Sequence, residues 1–395
     1  MDKLSKKVSI IGGGPSGMMA AIMAAKNGHS VTIYEKNNQL GKKLAITGGG
    51  RCNLTYAADP EELIQNVVSN PTFLYSAFYT FGSEHLMDFF EQQGVPLKIE
   101  QQRVFPQSDR ASDIIKALEK ALVQYKVRVL LNNQITDIHR ILDKYDAVIV
   151  ATGGCSYPNT GSTGDGYCWA KELGLSVIDL RPALVSLYAK PICDNVADLA
   201  GLSLSSIGLT VACAGKTVFA GTGELLFTHK GISGPLVLKA GGYLPNNISD
   251  TTVTIDLKPD ISPDKMDAML LEILKKHPNM SLENILNMLF PKRLCSLLLG
   301  SLFSKKANAF TKKERGTLVN TIKNLVFNVT GTAGFKESMI TAGGINVCEI
   351  NPSDMSSKKI PKLYFVGEVL DVDAHTGGFN LQIAFSTGYL AGNSI

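Results

Sequence analysis

The apolar positions near the start of the chain come in blocks of different period. Val8-Ser-Ile-Ile11 is a short, nearly unbroken apolar run, the mark of a strand buried on both faces. A turn, Gly12-Gly-Gly-Pro-Ser-Gly17, follows, and the small and apolar residues after it predict a helix from Pro15 to Lys26. Pro15 suits a first helical turn, where its missing N–H would be unpaired anyway. Val31-Thr-Ile-Tyr34 predicts a second strand, closed by Glu35. A long glycine-punctuated loop covers 40–53. Residues 60–93 read as helical, Asp113 to Gln124 as an amphipathic helix, Val127 to Leu131 as a strand, and Asp146 to Val150 as a buried strand entering a second glycine turn, Thr152-Gly-Gly154. Alternation of this kind is what a parallel sheet requires.

The texture then changes. Period-two runs such as Ser206 to Cys213, Lys216 to Phe219 and Thr251 to Leu257 predict antiparallel strands. From Ser262 to about Asn328 the pattern is helical, with lysine pairs at 275–276, 305–306 and 312–313 that read most simply as solvated faces. Lys362 to Glu368 restores a buried parallel-type strand, and a closing helix is expected from Leu381 to Ala391. Both ends of the chain therefore build one α/β domain with the middle inserted. The expected divisions are 1–186 and 346–395 for that domain, 187–260 with a return at 329–345 for a β-barrel, and 261–328 for a helical domain.

Gly12, Gly14 and Gly17 fit G-x-G-x-x-G, between a strand and a helix and 21 residues before the acid Glu35 when counted from Gly14. Gly12 makes the tight turn, Gly14 admits a pyrophosphate and Gly17 lets helix and strand pack closely. The pyrophosphate would sit over the unpaired N–H groups of the helix start. This fingerprint alone does not separate FAD from NAD. The Ala151-Thr-Gly-Gly154 turn and the distant Tyr364-Phe-Val-Gly-Glu368 strand favour FAD, whose length calls for contacts all along one sheet.

The chain has 395 residues, 45% hydrophobic and 19% charged, which describes a well-packed protein of two or three domains. A net charge of +4 argues weakly against nucleic acid as the main partner. Lys3, Lys6 and Lys7 ahead of an apolar run mimic a secretory signal, but the glycine turn breaks the run in its middle. Seven scattered cysteines, at 52, 155, 168, 193, 213, 295 and 348, form no CxxC pair and point to a reducing cytoplasm. Neither they nor the six histidines show metal-ligand spacing, and no run of 18 apolar residues predicts a membrane span.

Four longer motifs sharpen the picture. Thr47-Gly-Gly-Gly-Arg-Cys-Asn53, Gly223 to Pro235, Thr341-Ala-Gly-Gly-Ile345 and Gly367-Glu-Val-Leu-Asp-Val-Asp-Ala-His-Thr-Gly-Gly-Phe-Asn380 resemble the bacterial HI0933-like flavoprotein family over essentially the full length. The resemblance implies a Rossmann-type, GR2-like FAD-binding domain interrupted by a small β-barrel and a helical domain. It implies that Gly12, Gly14, Pro15, Ser16 and Gly17 hold the pyrophosphate and that Glu35 and Lys36 meet the adenosine ribose. Lys43, Gly50 and Arg51 would cover the cofactor, Ile135 would offer backbone atoms to adenine, and Thr152, Gly153 and Gly154 would pass under its middle. Gly367 and Glu368 would lie toward the ribityl chain, and Gly378, Phe379, Asn380 and Leu381 would face the flavin pyrimidine edge.

Flavin carries the electron chemistry, so few catalytic side chains are needed. His229 and His375 are candidates for proton transfer, since both lie in glycine-rich polar motifs and histidine is the residue type suited to proton transfer at physiological pH. Each could equally order a loop. Tyr157 could line the ring or merely pack, and Cys52 and Cys155 read as small packing residues. Only one dinucleotide fingerprint is present, which identifies the resident cofactor and leaves the electron partner open; NAD(P)H could still bind transiently over the flavin. The expected activity is an FAD-dependent oxidoreductase passing hydride between flavin N5 and a small organic substrate, as a NAD(P)H-linked reductase of an activated C=C bond. The alternatives are an O2-using aminoketone oxidase and a tRNA-modifying flavoprotein whose lysine-bearing helices grip RNA.

Overall fold

The computed structural model describes residues 5–191 and 199–395. Lys3 and Cys193 lie outside the described residues. The chain divides into two compact units, one of residues 1–183 and 335–395 and one of residues 184–334.

The first unit is built on a five-stranded sheet in the order Leu363–Phe365, Ala147–Val150, Lys7–Ile11, Ser30–Tyr34, Arg128–Leu130. Every neighbouring pair is parallel, with Ile10 opposite both Ile33 and Ile149 and Leu363 opposite Val148. Four of the five residues of Lys7–Ile11 are buried, as a central parallel strand requires. The helix Pro15–Lys26 spans the expected residues and is buried from Ser16 to Ala24. It is apolar nearly all round because a second helix, Phe379–Ser394, packs against it. Gly388 and Gly392 make that approach possible: a Cβ at either would overlap the carbonyl of Ser16 or of Ala20.

The run 60–93 is not continuous helix. It folds as Pro60–Gln65, Tyr75–Thr80 and Ser83–Gln92, separated by the short strand Val67–Ser69 and a 3-10 turn at Pro71–Leu74. Asn70, left-handed at φ 53°, and Pro71 after it break the run.

The second unit is a closed six-stranded barrel in the order Leu187–Pro191, Gly231–Ser233, Lys216–Thr228, Ser203–Cys213, Thr251–Asp256, Leu325–Thr332. Strict in–out alternation along Thr251–Asp256 shows the period-two signal. The helices Pro263–Lys276, Leu282–Leu286, Lys292–Leu299 and Lys312–Lys323 do not form a separate helical domain. Met266, Leu270, Leu294 and Ile322 share one core with Val211, Phe227, Val253 and Phe327 of the barrel. The expected return at 329–345 is also divided. Leu325–Thr332 closes the barrel, but Ile340–Ile345 pairs antiparallel with Val177–Ala183 in the first unit. Among the described residues no helix is long and apolar enough to cross a membrane.

Candidate functional site

The three fingerprint glycines do different work. A Cβ on Gly12, whose φ is +109°, would strike the carbonyl of Ala151, and one on Gly17 would strike the carbonyl of Gly12. These two are demanded by the protein's own packing. A Cβ on Gly14 meets nothing within 4 Å, so its backbone faces open space. Beyond it, Pro15–Lys26 has neither a side-chain N-cap nor an acid in its first turn. The helix Phe379–Ser394 also starts uncapped and free of first-turn acids, at Gly378 with φ +101°. By contrast, the helices after Asp59, Asp137, Ser262, Ser281 and Thr311 are each capped by those side chains. An uncapped helix start offers N–H groups and a partial positive charge to an anion.

Glu35 does more than wait for a ribose. Its Oε2 accepts from the Gly13 N–H at 2.7 Å, and its Oε1 accepts from the Asn37 N–H and Nδ2 at 2.8 and 2.7 Å. The carboxylate thus pins the glycine turn while keeping one acceptor position, on Oε2, for a ligand hydroxyl. The segment carrying Ile135 is drawn to the same place by the Asn132 and Asn133 N–H groups, which donate to the carbonyls of Asn37 and Glu35. Lys36 turns elsewhere, pairing with Asp165 at 2.8 Å.

Residues far apart in sequence converge on Glu368. Lys43 Nζ lies 2.7 Å from its Oε2, and the Thr341 N–H donates to its Oε1 at 2.9 Å. The Tyr167 hydroxyl donates to its main-chain carbonyl, and Gly153 and Gly154 lie against its side chain. Thr341 Oγ1 in turn accepts from the Cys155 and Ser156 N–H groups at 2.8 and 3.1 Å, tying down the loop after Gly154. Gly367, at φ +75°, lets this strand end press on Ser16. The site therefore joins the first glycine turn, the second glycine turn and the late strand.

Arg51, expected to cover an anionic cofactor, is paired within the protein. Its guanidinium bonds Asp109 at 2.8 Å and Glu100 at 2.9 Å and lies 4.2 Å from the Phe105 ring centre. With Lys98 it forms a four-charge network that ties the loop Gly48-Gly-Gly50 to the hairpin Leu97–Pro106, and the two carboxyls are held below their usual range by those cations. Gly50 is left-handed at φ +89°, as are Gly48 and Gly49 before it.

Buried polar atoms in native proteins are nearly always paired. Thr152 Oγ1 and Asn53 Oδ1 are buried with no partner among the described residues. Both belong to glycine motifs of this site; Thr152 Oγ1 packs toward Gly166, Val150 and Val369, so it is Asn53 that fits a bound group. Asn53 and Thr341 carry no sequence signal of their own beyond membership in those motifs.

His375 is buried, with its main-chain N–H donating to the Asn66 carbonyl, whereas His229 is exposed on the turn after Lys216–Thr228 in the barrel unit. Sequence reasoning passed over Asp371 and Asp373. Burial pushes both carboxyls above the ordinary range, and Asp373 Oδ1 has no partner among the described residues. Asn380 clamps this segment to the last helix by bonding the Ala374 N–H and carbonyl at 3.0 and 2.8 Å. Cys52 is fully buried with its thiol pushed up to about 12, and burial also raises Cys155, so neither supplies a reactive thiolate. Tyr157, left-handed at φ 54°, donates its N–H to the Phe335 carbonyl and shapes the loop.

The family model described as the HI0933-like protein Rossmann domain matches residues 6–394. The chain belongs to the HI0933-like family. It is an FAD-dependent oxidoreductase. It is 31% identical to a ribosomal RNA dihydrouridine synthase of Escherichia coli K12, over 96% of this chain and 95% of that protein. A 3-dehydro-bile acid delta(4,6)-reductase of Clostridium scindens is 30% identical over 98% of each chain. A 3-ketosteroid-delta4-(5alpha)-dehydrogenase structure from Rhodococcus jostii RHA1 superposes with a TM-score of 0.49 at 15% identity, covering 99% of this chain and 96% of that one. A likeness that distant speaks to neither reaction nor substrate. An N,N-dimethylglycine/sarcosine dehydrogenase of Chromohalobacter salexigens matches over only 45 residues, 11% of this chain.

Proposed function

We propose that this chain reduces a carbon–carbon double bond conjugated to a carbonyl, with NADH or NADPH as the electron source. The carrying observation is that relatives aligned over nearly their whole length are named for this one kind of product or substrate. Dihydrouridine is uridine with its C5=C6 bond saturated, next to a ring carbonyl. A 3-dehydro bile acid with delta(4,6) unsaturation carries double bonds conjugated to its ketone. Amine oxidation draws no comparable support, since the amine dehydrogenase match is confined to a short stretch.

A flavin held by these residues would supply hydride transfer from reduced nicotinamide to the β-carbon of the substrate. The α-carbon then needs a proton, so each turnover consumes one NAD(P)H and one proton. Gly14 and the start of Pro15–Lys26 hold the pyrophosphate, and Glu35 the ribose. Glu368, braced by Lys43 and the Thr341 N–H, orients the ribityl region, and the N–H groups at Gly378–Leu381 stabilise negative charge at the pyrimidine edge. Asp373 and His375 follow Glu368 by five and seven residues and are both buried. Burial raises the Asp373 carboxyl and its Oδ1 has no partner among the described residues, so it is a candidate, beside His375, to supply that proton.

Anaerobic stopped-flow spectroscopy tests this directly. NADH or NADPH should bleach the flavin band, and a 3-oxo-4,6-diene steroid or a uridine-containing RNA should restore it. Bleaching by an aminoketone, peroxide formation with O2 and no recovery with either acceptor would sink the proposal.

A further inference from the structure

Charge is divided unevenly between the two units. Residues 1–183 and 335–395 hold 23 Lys and Arg against 24 Asp and Glu, a net −1. Residues 184–334 hold 16 against 11, a net +5, so the inserted unit accounts for all of the chain's positive excess. Within it, residues 275–313 carry eight Lys and Arg and a single acid, Glu283.

The fold gathers much of this charge at one place. The segment 305–323 runs antiparallel to 258–282: Lys323 Nζ donates to the carbonyls of Lys258 and Ile261, and Arg315 pairs with Asp267 at 2.6 Å. Further along, the Asn308 N–H donates to Pro278, the Ala307 N–H to Met280, and the Leu282 N–H to Lys305, at 2.8 to 2.9 Å. This register sets Lys275 and Lys276 beside the stretch that holds Lys306, Lys312 and Lys313, and all five are exposed. Lys276 pairs with Glu272 and Lys305 with Glu314, whereas Lys275, Lys306, Lys312 and Lys313 make no close ion pair among the described residues, although Lys312 lies near enough to Asp267 to help lower its carboxyl.

Helix stability does not account for these positions. Lys275 and Lys276 end Pro263–Lys276, where the dipole favours cations. Lys312 and Lys313, however, are the first two residues of Lys312–Lys323, and Lys292 and Arg293 are the first two of Lys292–Leu299. Cations there oppose the helix dipole and add to its positive end. A solvated face gains nothing from that arrangement, whereas a surface meeting a polyanion does.

We infer that the face formed by Lys275, Lys276, Lys306, Lys312 and Lys313 docks the phosphate backbone of a structured RNA. This adds a binding surface to the proposed reduction of a conjugated C=C bond and is tested separately from it. Backbone phosphates supply affinity without sequence information, so several unpartnered lysines suffice, and the affinity falls steeply with salt.

The test uses the FAD-loaded full chain, with bacterial ribosomal RNA as probe and anionic phosphatidylglycerol vesicles as competitor surface. The wild type should bind the RNA with a steep salt dependence. K312E/K313E should weaken binding more than tenfold near 0.1 M salt and lower the slope of log affinity against log salt by about two. The same variant should melt no lower than wild type, because glutamate at a helix start suits the dipole. K306Q/K312Q/K313Q gives a second reading without charge reversal, and K116E/K120E, an equal change in the first unit, should leave RNA affinity unchanged. Equal loss in K116E/K120E, or RNA binding indifferent to both lysine variants, would overturn this surface while leaving double-bond reduction intact. Binding to vesicles but not to RNA, with steroid reduction retained, would also overturn it alone. Failure to reduce either acceptor would strike the proposed reaction itself.

Discussion

The two units meet anions by different means. The cofactor-holding unit has a net charge of −1, and its features that fit a dinucleotide are glycine turns and two uncapped helix starts. The inserted unit has a net charge of +5 and displays its positive charge on exposed side chains. Fixed N–H groups suit one ligand of defined shape, because they are already oriented and leave little to order on binding. Flexible lysines suit a long, repeating polyanion. The whole-chain charge of +4, which argued weakly against nucleic acid, averages these two surfaces and hides both.

The comparison breaks first at the glycines. Gly17→Val should abolish both flavin retention and the folding transition of the first unit, since its Cβ would overlap the Gly12 carbonyl. Gly14→Ala should instead fold, with a near-normal melting midpoint and flavin affinity reduced at least tenfold, because the new methyl group points into the space the cofactor needs. Flavin absorbance after gel filtration, read beside thermal melting, separates the two. Equal behaviour of both variants would dissolve the distinction between packing glycine and ligand glycine.

A middle-sized effect belongs to the inserted unit. Arg315 is buried and makes a two-pronged contact with Asp267 at 2.6 and 2.9 Å. Arg315→Ala should cost about 1–2 kcal/mol in urea unfolding of that unit, mostly from the lost packing of the buried arginine stem, because Asp267 is open enough to be hydrated. The flavin spectrum should not change.

The smallest effects have opposite signs in the two units. Burial raises the Asp373 carboxyl, so its ionisation opposes folding, and its contribution falls as pH rises above the ordinary carboxylate range. Asp373→Asn should therefore raise the melting midpoint at pH 8 more than at pH 4, while slowing the proton-requiring half-reaction. Glu314 is pulled down to about 2 by Lys305 and the Thr311 capping box, so it contributes above the ordinary range and loses that contribution as pH falls toward 2. Glu314→Gln should lower the midpoint at pH 7 by a degree or so, roughly the effect of a lost cap, and the difference should shrink in acid. Parallel melting curves across pH for wild type and both variants check the pair.

Much of this architecture is legible locally. A buried strand, a glycine turn and a helix opened by proline each depend on a few adjacent residues, and Pro15–Lys26 spans the expected range. The second glycine turn and the late Gly-Glu strand are visible for the same reason. The helical run at 60–93 misleads because apolar spacing cannot show the left-handed Asn70 that interrupts it. Arg51 shows a second limit of local reading. A guanidinium in a glycine loop suggests anion binding, and nothing nearby in the chain reveals that Glu100 and Asp109, about fifty residues on, also pair with it. Exposed lysine pairs look like ordinary solvated faces until the antiparallel register brings three of them together.

The sequence by itself determined where the backbone must turn tightly, which strands are buried on both faces and where an anion can approach a helix start. Those properties reside in glycine's freedom at positive φ, in side-chain period and in unpaired N–H groups, all local quantities. Only the tertiary structure decided that Lys43 braces Glu368 across 325 residues, that Glu35 pins the Gly13 N–H, and that Ile340–Ile345 joins the first unit rather than the barrel. Charge pairing and strand partnership act between distant segments, and nothing in a local pattern names the partner.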